Sequence, residues 1–257
     1  MAVPLVGQQA DPQPTHLWTT DYARLLWGDT KAVLGAPLHW DKGDWTIAGI
    51  AATTVGGAAF FDQRIRDSVQ AHRTISEDKF MKHFQNIGAS WALVAMGGFE
   101  VWGEVGHNDK AKRVAMDAIT ADLIGPVLII SSVKYTVWRA RPYANQGPFE
   151  FKPFGRDNQS FPSGHTATAF SLCTVLAEHY PAWWVQVLCY GSAATVGYAR
   201  IEQNAHFTSD VIAGGFVGWS VARAVVHRHD RLLKPNKLTW VPVANGSRVG
   251  VLCYKSF

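Results

Sequence analysis

Two histidines and a scatter of cations hold the chemistry of this sequence. In Arg200-Ile-Glu-Gln-Asn-Ala-His206-Phe-Thr-Ser-Asp210 a carboxylate follows a histidine by four residues. On a helix that spacing lets Asp210 hold one imidazole nitrogen of His206 and leave the other free as a nucleophile or base. In Phe161-Pro162-Ser163-Gly164-His165-Thr166 the chain opens straight into an apolar helix. A helix start presents unpaired N–H groups and a positive dipole end, and Gly164 lets backbone approach a ligand closely, so the segment can cradle an anion. Ser163 reads equally as a plain N-cap.

A third segment, Lys134-Tyr-Thr-Val-Trp-Arg139-Ala-Arg141-Pro142, ends an apolar stretch in cations. Seven residues make about two helical turns, which would put Lys134 and Arg141 on one face and point Arg139 toward solvent or an interface. No acid stands at helical spacing between Lys134 and Arg141, so the pair calls for an anionic partner. Three cations, a backbone cradle and two histidines suit phosphoryl transfer, where protein groups mainly position oxygens and stabilise charge. No HExxH, CxxC or carboxylate cluster offers a metal site, and no metal or cofactor is expected.

Lys134-x6-Arg141-Pro142, Pro162-Ser163-Gly164-His165 and Ala199-Arg200-x5-His206-x3-Asp210 resemble, in order, the three signature motifs of the type 2 phosphatidic acid phosphatase superfamily. That superfamily includes bacterial acid phosphatases and vanadium haloperoxidases. The resemblance implies that Lys134, Arg141 and Arg200 bind phosphoryl oxygens, with Ser163 and Gly164 adding hydrogen bonds. It also implies that His206 attacks phosphorus, Asp210 orients it, and His165 protonates the leaving oxygen. Ala199 departs from the serine usual in the third motif, which implies weaker phosphate binding rather than lost activity. Phe207 stands where soluble acid phosphatases often have Trp, which favours the lipid branch. The expected activity is therefore metal-independent hydrolysis of a phosphomonoester or pyrophosphate, of a lipid by preference, through a phosphohistidine. A soluble broad-specificity acid phosphatase is the alternative, and a vanadium haloperoxidase a more distant one, since those enzymes tend to be much longer than 257 residues.

The elements that must place these groups read as all-α. Six apolar segments run Trp45–Phe61, Ile87–Gly103, Ala115–Trp138, Thr166–Tyr180, Ala182–Ala199 and Val211–His227, each longer than a usual strand. They predict a bundle of about six core helices in a single domain spanning 1–257. An N-terminal amphipathic segment, 1–44, has Leu25, Leu26 and Trp27 as apolar anchors. The tail 238–257 is expected to form a hairpin around Ala244-Asn245-Gly246. The opening residues lack the charged-then-apolar pattern of a secretory signal, though Gln8–Pro14 has the polar look of a segment following a cleaved one.

Mean hydropathy is only −0.03 and Asp117 and Asp122 interrupt the third segment, so the bilayer question stays open between spanning and a soluble bundle. If the six segments span with the N-terminus inside, the Lys- and Arg-rich stretches Gly106–Arg113 and the tail from His227 fall inside, as the positive-inside rule asks. Lys134–Gly164 and Arg200–Phe207 then meet on the outer, periplasmic side. Net charge is +4 with the 24 basic residues spread along the chain, which suits a local anion site and argues against nucleic acid as partner. The expected partner is a phosphorylated lipid or other phosphate ester, with membrane association. Cys173, Cys189 and Cys253 have no metal-like spacing and are assigned no chemistry. Glu150 and Asp157 lie in a polar loop with Gly147, Pro148, Pro153 and Gly155, which reads as a shaped loop or lid.

Overall fold

The computed structural model describes residues 16–154 and 159–233, with the backbone alone of 238–245 and 248–255. Gln8–Pro14, Gly155, Asp157 and Gly246 lie outside the described residues. The architecture is the expected helical bundle. Its helices are α1 (Thr20–Gly35), α2 (Lys42–His72), α3 (Ile75–Gln85), α4 (Ser90–Val105), α5 (Asp109–Asp122), α6 (Ser131–Val137), α7 (Gly164–His179), α8 (Trp183–Glu202) and α9 (Thr208–Leu233). Each of the six apolar segments falls on helix. The short helix α3 was not anticipated, because its sequence ISEDKFMKHFQ is mostly polar.

Local chemistry sets the helix starts. Thr19, Thr74 and Asn108 accept hydrogen bonds from the first turns of α1, α3 and α5, and Asp41 with Asp44 forms a reciprocal capping box on α2. Between α5 and α6 the chain widens into a π-helical stretch, Leu123–Ile130, around Pro126, whose ring cannot sit in a regular α-helical interior. Asp109–Val137 nonetheless runs on as one helical rod of 29 residues.

At the centre, α7 packs chiefly against α9 and α8. The α7–α9 contact is backbone to backbone. A Cβ on Gly214 would lie 2.3 Å from the Ser163 carbonyl oxygen, and one on Gly218 would lie 2.1 Å from that of Ala167. These glycines, one turn apart, let the start of α9 approach the start of α7 closely, which brings Asp210 beside Ser163.

Two features bear on the surroundings. Asp109–Val137 and Thr208–Leu233 are long and apolar enough to cross a membrane. Large apolar side chains are also exposed along the outside of the bundle: Trp45, Ile50 and Phe60 on α2, Trp91, Leu93 and Val101 on α4, Val127 before α6, and Trp183 and Leu188 on α8. So much outward apolar surface marks a lipid or partner interface. The charges that interrupted the apolar pattern are internal. Asp117 pairs with His229 at 2.5 Å and His179 at 2.6 Å, and the second ring nitrogen of His229 meets Asp29 of α1 at 2.9 Å. A histidine held by carboxylates on both nitrogens is the doubly protonated cation, so this cluster ties α1 to α5 and α9. Leu25 and Leu26 pack on the bundle while Trp27 is 63% exposed, so two of the three proposed anchors face the protein. The tail backbone pairs Leu238–Asn245 antiparallel with Arg248–Lys255.

A methyl group at position 218 has no room, whereas at Gly49 of α2 it would meet nothing within 4 Å. Gly218→Ala should cost about 1–3 kcal/mol through forced separation of α7 and α9. Gly49→Ala should be neutral or stabilising by up to about 1 kcal/mol, as alanine favours helix. Unfolding midpoints in detergent read both, and an unchanged midpoint for Gly218→Ala would refute the close-packing account.

Candidate active site

The bundle alternates direction, so the ends of α2, α6 and α8 and the starts of α7 and α9 gather at one end. The three motif segments meet there. Their local geometry differs from a helical reading in one place. α6 stops at Val137, and Trp138 adopts a left-handed backbone with φ 42° that ends it. Beyond it the chain runs extended, with Ala140 N–H donating to Glu150 O at 2.9 Å and Lys152 N–H to Trp138 O at 2.9 Å. Lys134 and Arg141 therefore do not share a helix face. They converge because this strap folds back over the bundle end.

The same turn overturns the placement of Arg139 at solvent or an interface. An extended rather than helical backbone sends its side chain inward, where it is 2% exposed. Its Nη2 donates to Asp62 Oδ2 at 2.7 Å, and its Nη1 to Asp210 Oδ1 at 2.5 Å and Ser209 Oγ at 2.7 Å. Its Nε donates to Pro148 O at 2.7 Å, and the guanidinium stacks 4.4 Å from the Phe207 ring centre. Asp62 in turn accepts from Ser209 N–H at 2.9 Å and from the Ser209 hydroxyl.

Asp210 is the third residue of α9. Its Oδ2 accepts from Phe207 N–H at 2.8 Å, capping the helix it belongs to, and from the Ser160 hydroxyl. His206 lies before the helix, in the turn, with Nδ1 3.6 Å from Asp210 Oδ2. The two are neighbours as expected, at a distance beyond a formed hydrogen bond. The His206 ring is buried, and that burial pulls it down to about 3; Asp210 opposes the shift, while Lys134 and Arg141 add to it. His165, second in α7, is lowered to about 4 by burial and then by repulsion from Arg200, Lys134 and Arg141. Both imidazoles are thereby held neutral near pH 7.

The cations crowd each other as well. Arg200 is lowered to about 10, first by burial and then by Arg141. Lys134 Nζ donates to Gln159 O at 3.2 Å, and its chain lies over the start of α7, since a Cβ on Gly164 would stand 3.9 Å from Lys134 Cε. Among the described residues, Arg141 Nε, Arg200 Nε and His206 Nδ1 are buried without a hydrogen-bond partner. Buried donors without partners are costly and point to a missing acceptor. Gly164 and His165 are the first two residues of α7, where N–H groups have no intrahelical partner. Ser163 takes the capping role: its Oγ accepts from Thr166 N–H at 3.4 Å and sits 2.8 Å from the Thr166 hydroxyl.

Residues missed by sequence reasoning surround this core. Asp62, Ser160 and Ser209 hold Arg139 and Asp210. Gln85 of α3 accepts from Arg200. Arg66 of α2 donates to Asn204 at 2.8 Å and Asn145 at 2.6 Å, two residues in left-handed turns. Only Asp62 carried a signal, as an acid directly after the apolar run Ala58-Ala-Phe-Phe61.

Residues 116–234 match the model of the PAP2 superfamily, the span that contains every motif residue. The chain is 29% identical over 164 residues to a Lipid A 1-phosphatase of Porphyromonas gingivalis, covering 63% of this chain and 34% of that protein. It is 36% identical over 112 residues to a Lipid A 1-phosphatase of Rhizobium etli, covering 41% of this chain and 47% of that protein. The chain thus spans about a third to a half of the curated relatives it matches. The crystal structure of Aquifex aeolicus LpxE superposes with a TM-score of 0.52 at 22% identity, covering 65% of this chain and 95% of that one. At that identity the likeness speaks for the fold alone.

A phosphate dianion placed among these cations would reverse the repulsion on His165 and raise it. Binding of inorganic phosphate or vanadate should then take up a proton at His165 and tighten as pH falls from about 7 toward 5, because the complex holds a proton that the free site lacks. Calorimetry in buffers of different ionisation enthalpy reads that uptake, which His165→Asn should remove. Equal uptake in the variant would assign the proton elsewhere.

Proposed function

We propose that this chain hydrolyses the phosphomonoester of a membrane lipid through a phosphohistidine at His206, without a metal. The observation that carries the reading is the set of buried, unpartnered nitrogens on Arg141 and Arg200 beside two neutral imidazoles. Such a pocket is complete only with an oxyanion in it.

Lys134, Arg141, Arg200 and the N–H groups of Gly164 and His165 take the phosphoryl oxygens, with Ser163 holding the helix start that presents them. The Nε2 lone pair of His206 attacks phosphorus opposite the ester oxygen. The P–O bond breaks, and His165, protonated once the anion has arrived, gives its proton to the leaving alkoxide. Asp210 balances the positive charge that grows on the His206 ring. A water then attacks phosphorus, gives its proton to the now neutral His165, and the N–P bond breaks to release phosphate. Three protein cations supply the charge stabilisation a metal ion would otherwise provide.

The lipid reading is supported by the exposed apolar flanks of α2, α4 and α8 and by relatives that act on the 1-phosphate of lipid A. A glycolipid phosphate of that kind is the substrate class we assign. Lys110, Lys112 and Arg113 at the α4–α5 turn and Arg228 and Arg231 near the end of α9 lie at the bundle end opposite the site. By the positive-inside rule the site then faces the periplasm.

Phosphate release in detergent with EDTA, compared across a lipid A 1-phosphate, a prenyl pyrophosphate and a small soluble ester, tests this reading. The glycolipid should be preferred and EDTA should have no effect. His206→Ala should lose on the order of a thousandfold or more in rate while keeping its fold. Preference for the soluble ester would overturn the lipid assignment, and a folded, active His206→Ala would overturn the covalent mechanism.

A further inference from the structure

Behind Asp210 stands a charge chain that the matched region does not contain in full. Arg139 and Asp210 lie within residues 116–234, but Asp62 is on α2, well before that span. All three side chains are at most 2% exposed, so water does not screen them. Asp62 Oδ2 and Asp210 Oδ1 grip opposite terminal nitrogens of the same guanidinium, at 2.7 and 2.5 Å. Together the three groups carry one net negative charge. Without Asp62, Arg139 would cancel Asp210 outright, and the His206 ring would face a neutral pair as it becomes cationic during attack.

We infer that Asp62 is a positioning residue for the nucleophile: by taking half of Arg139, it leaves Asp210 its negative charge toward His206. The contacts around it agree with such a role for α2. Asp62 also anchors Ser209 N–H at the start of α9, and Arg66 and Gln70, on the next turns, hold Asn204 and the carbonyls of Ile201 and Glu202 in the turn that leads to His206. The hydrogen-bond partners of Asp62, Arg66 and Gln70 are Arg139, Ser209, Asn145, Asn204 and the carbonyls of Ile201 and Glu202, and not Lys134, Arg141 or Arg200. Asp62 is therefore expected to act on the chemical step and not on phosphate binding.

The inference rests on His206 being the nucleophile, and the test separates the two. Steady-state hydrolysis of a lipid phosphate is measured for wild type, Asp62→Asn, the double variant Asp62→Asn with Arg139→Gln, and His206→Ala, with folding of each checked by unfolding midpoint. Asp62→Asn should lower kcat about tenfold with KM within about twofold, the loss expected when a charge next to the reacting ring changes by one unit. The double variant returns the group to one net negative charge and should recover at least about threefold of that loss. A full-rate Asp62→Asn beside an inactive His206→Ala would overturn this inference alone, as would a folded double variant no faster than the single one. Should Asp62→Asn fail to fold, the double variant decides against wild type: kcat within about fivefold supports the inference, and a larger loss with unchanged KM overturns it. An active His206→Ala would remove the mechanism beneath it.

Discussion

A guanidinium sealed from water must be neutralised where it lies, and the arrangement of this site follows from how Arg139 meets that demand. Burial of an isolated cation costs far more than any single helix contact contributes, so its partners are fixed in place. One carboxylate comes from α2 and the other from the first turn of α9, which locks the strap after α6 between those two helices. With the strap fixed, Arg141 is held near Lys134 and Arg200. With Asp210 fixed, the turn holding His206 has a set height above the start of α7. Breaking one side of the pair would leave a buried charge alone, and the cost would fall first on the turn that holds His206.

The bundle supplies the frame for that pair by unusually close backbone contact. Gly214 and Gly218 bring α9 against α7 so that the Ser163 N–H reaches Asp210 O at 2.9 Å. That single bond joins the start of α7 to the helix that carries Asp210, the neighbour of His206. At the other end of the rods, Asp29, Asp117, His179 and His229 satisfy one another, so acids within apolar helices need not face lipid. The outer faces are left to apolar side chains on α2, α4 and α8.

Much of this was legible in the sequence, for identifiable reasons. Apolar runs too long for strands located the six core helices, and the three motif segments pointed at the groups that do converge. Three things were not legible. α3 is too polar for its period to stand out. The left-handed turn at Trp138 is imposed by the strap's pairing with Glu150–Lys152, a tertiary effect, and without it Arg139 was aimed outward and Lys134 was paired with Arg141 on the wrong geometry. Asp62 sits 148 residues from Asp210 in sequence, so no local pattern joins them. Of the two readings of Ser163, the capping contact is visible, with the N–H and hydroxyl of Thr166 both engaging it.

The central claim is a covalent bond between phosphorus and His206, and trapping that bond tests it most directly. Wild-type protein would be mixed with a lipid labelled in its terminal phosphate, quenched in alkali within the first turnover, and digested. The account predicts label that is stable in base, lost in acid, and confined to the peptide bearing His206. A protein that releases phosphate at full rate yet carries no label, or carries it on His165, would contradict it.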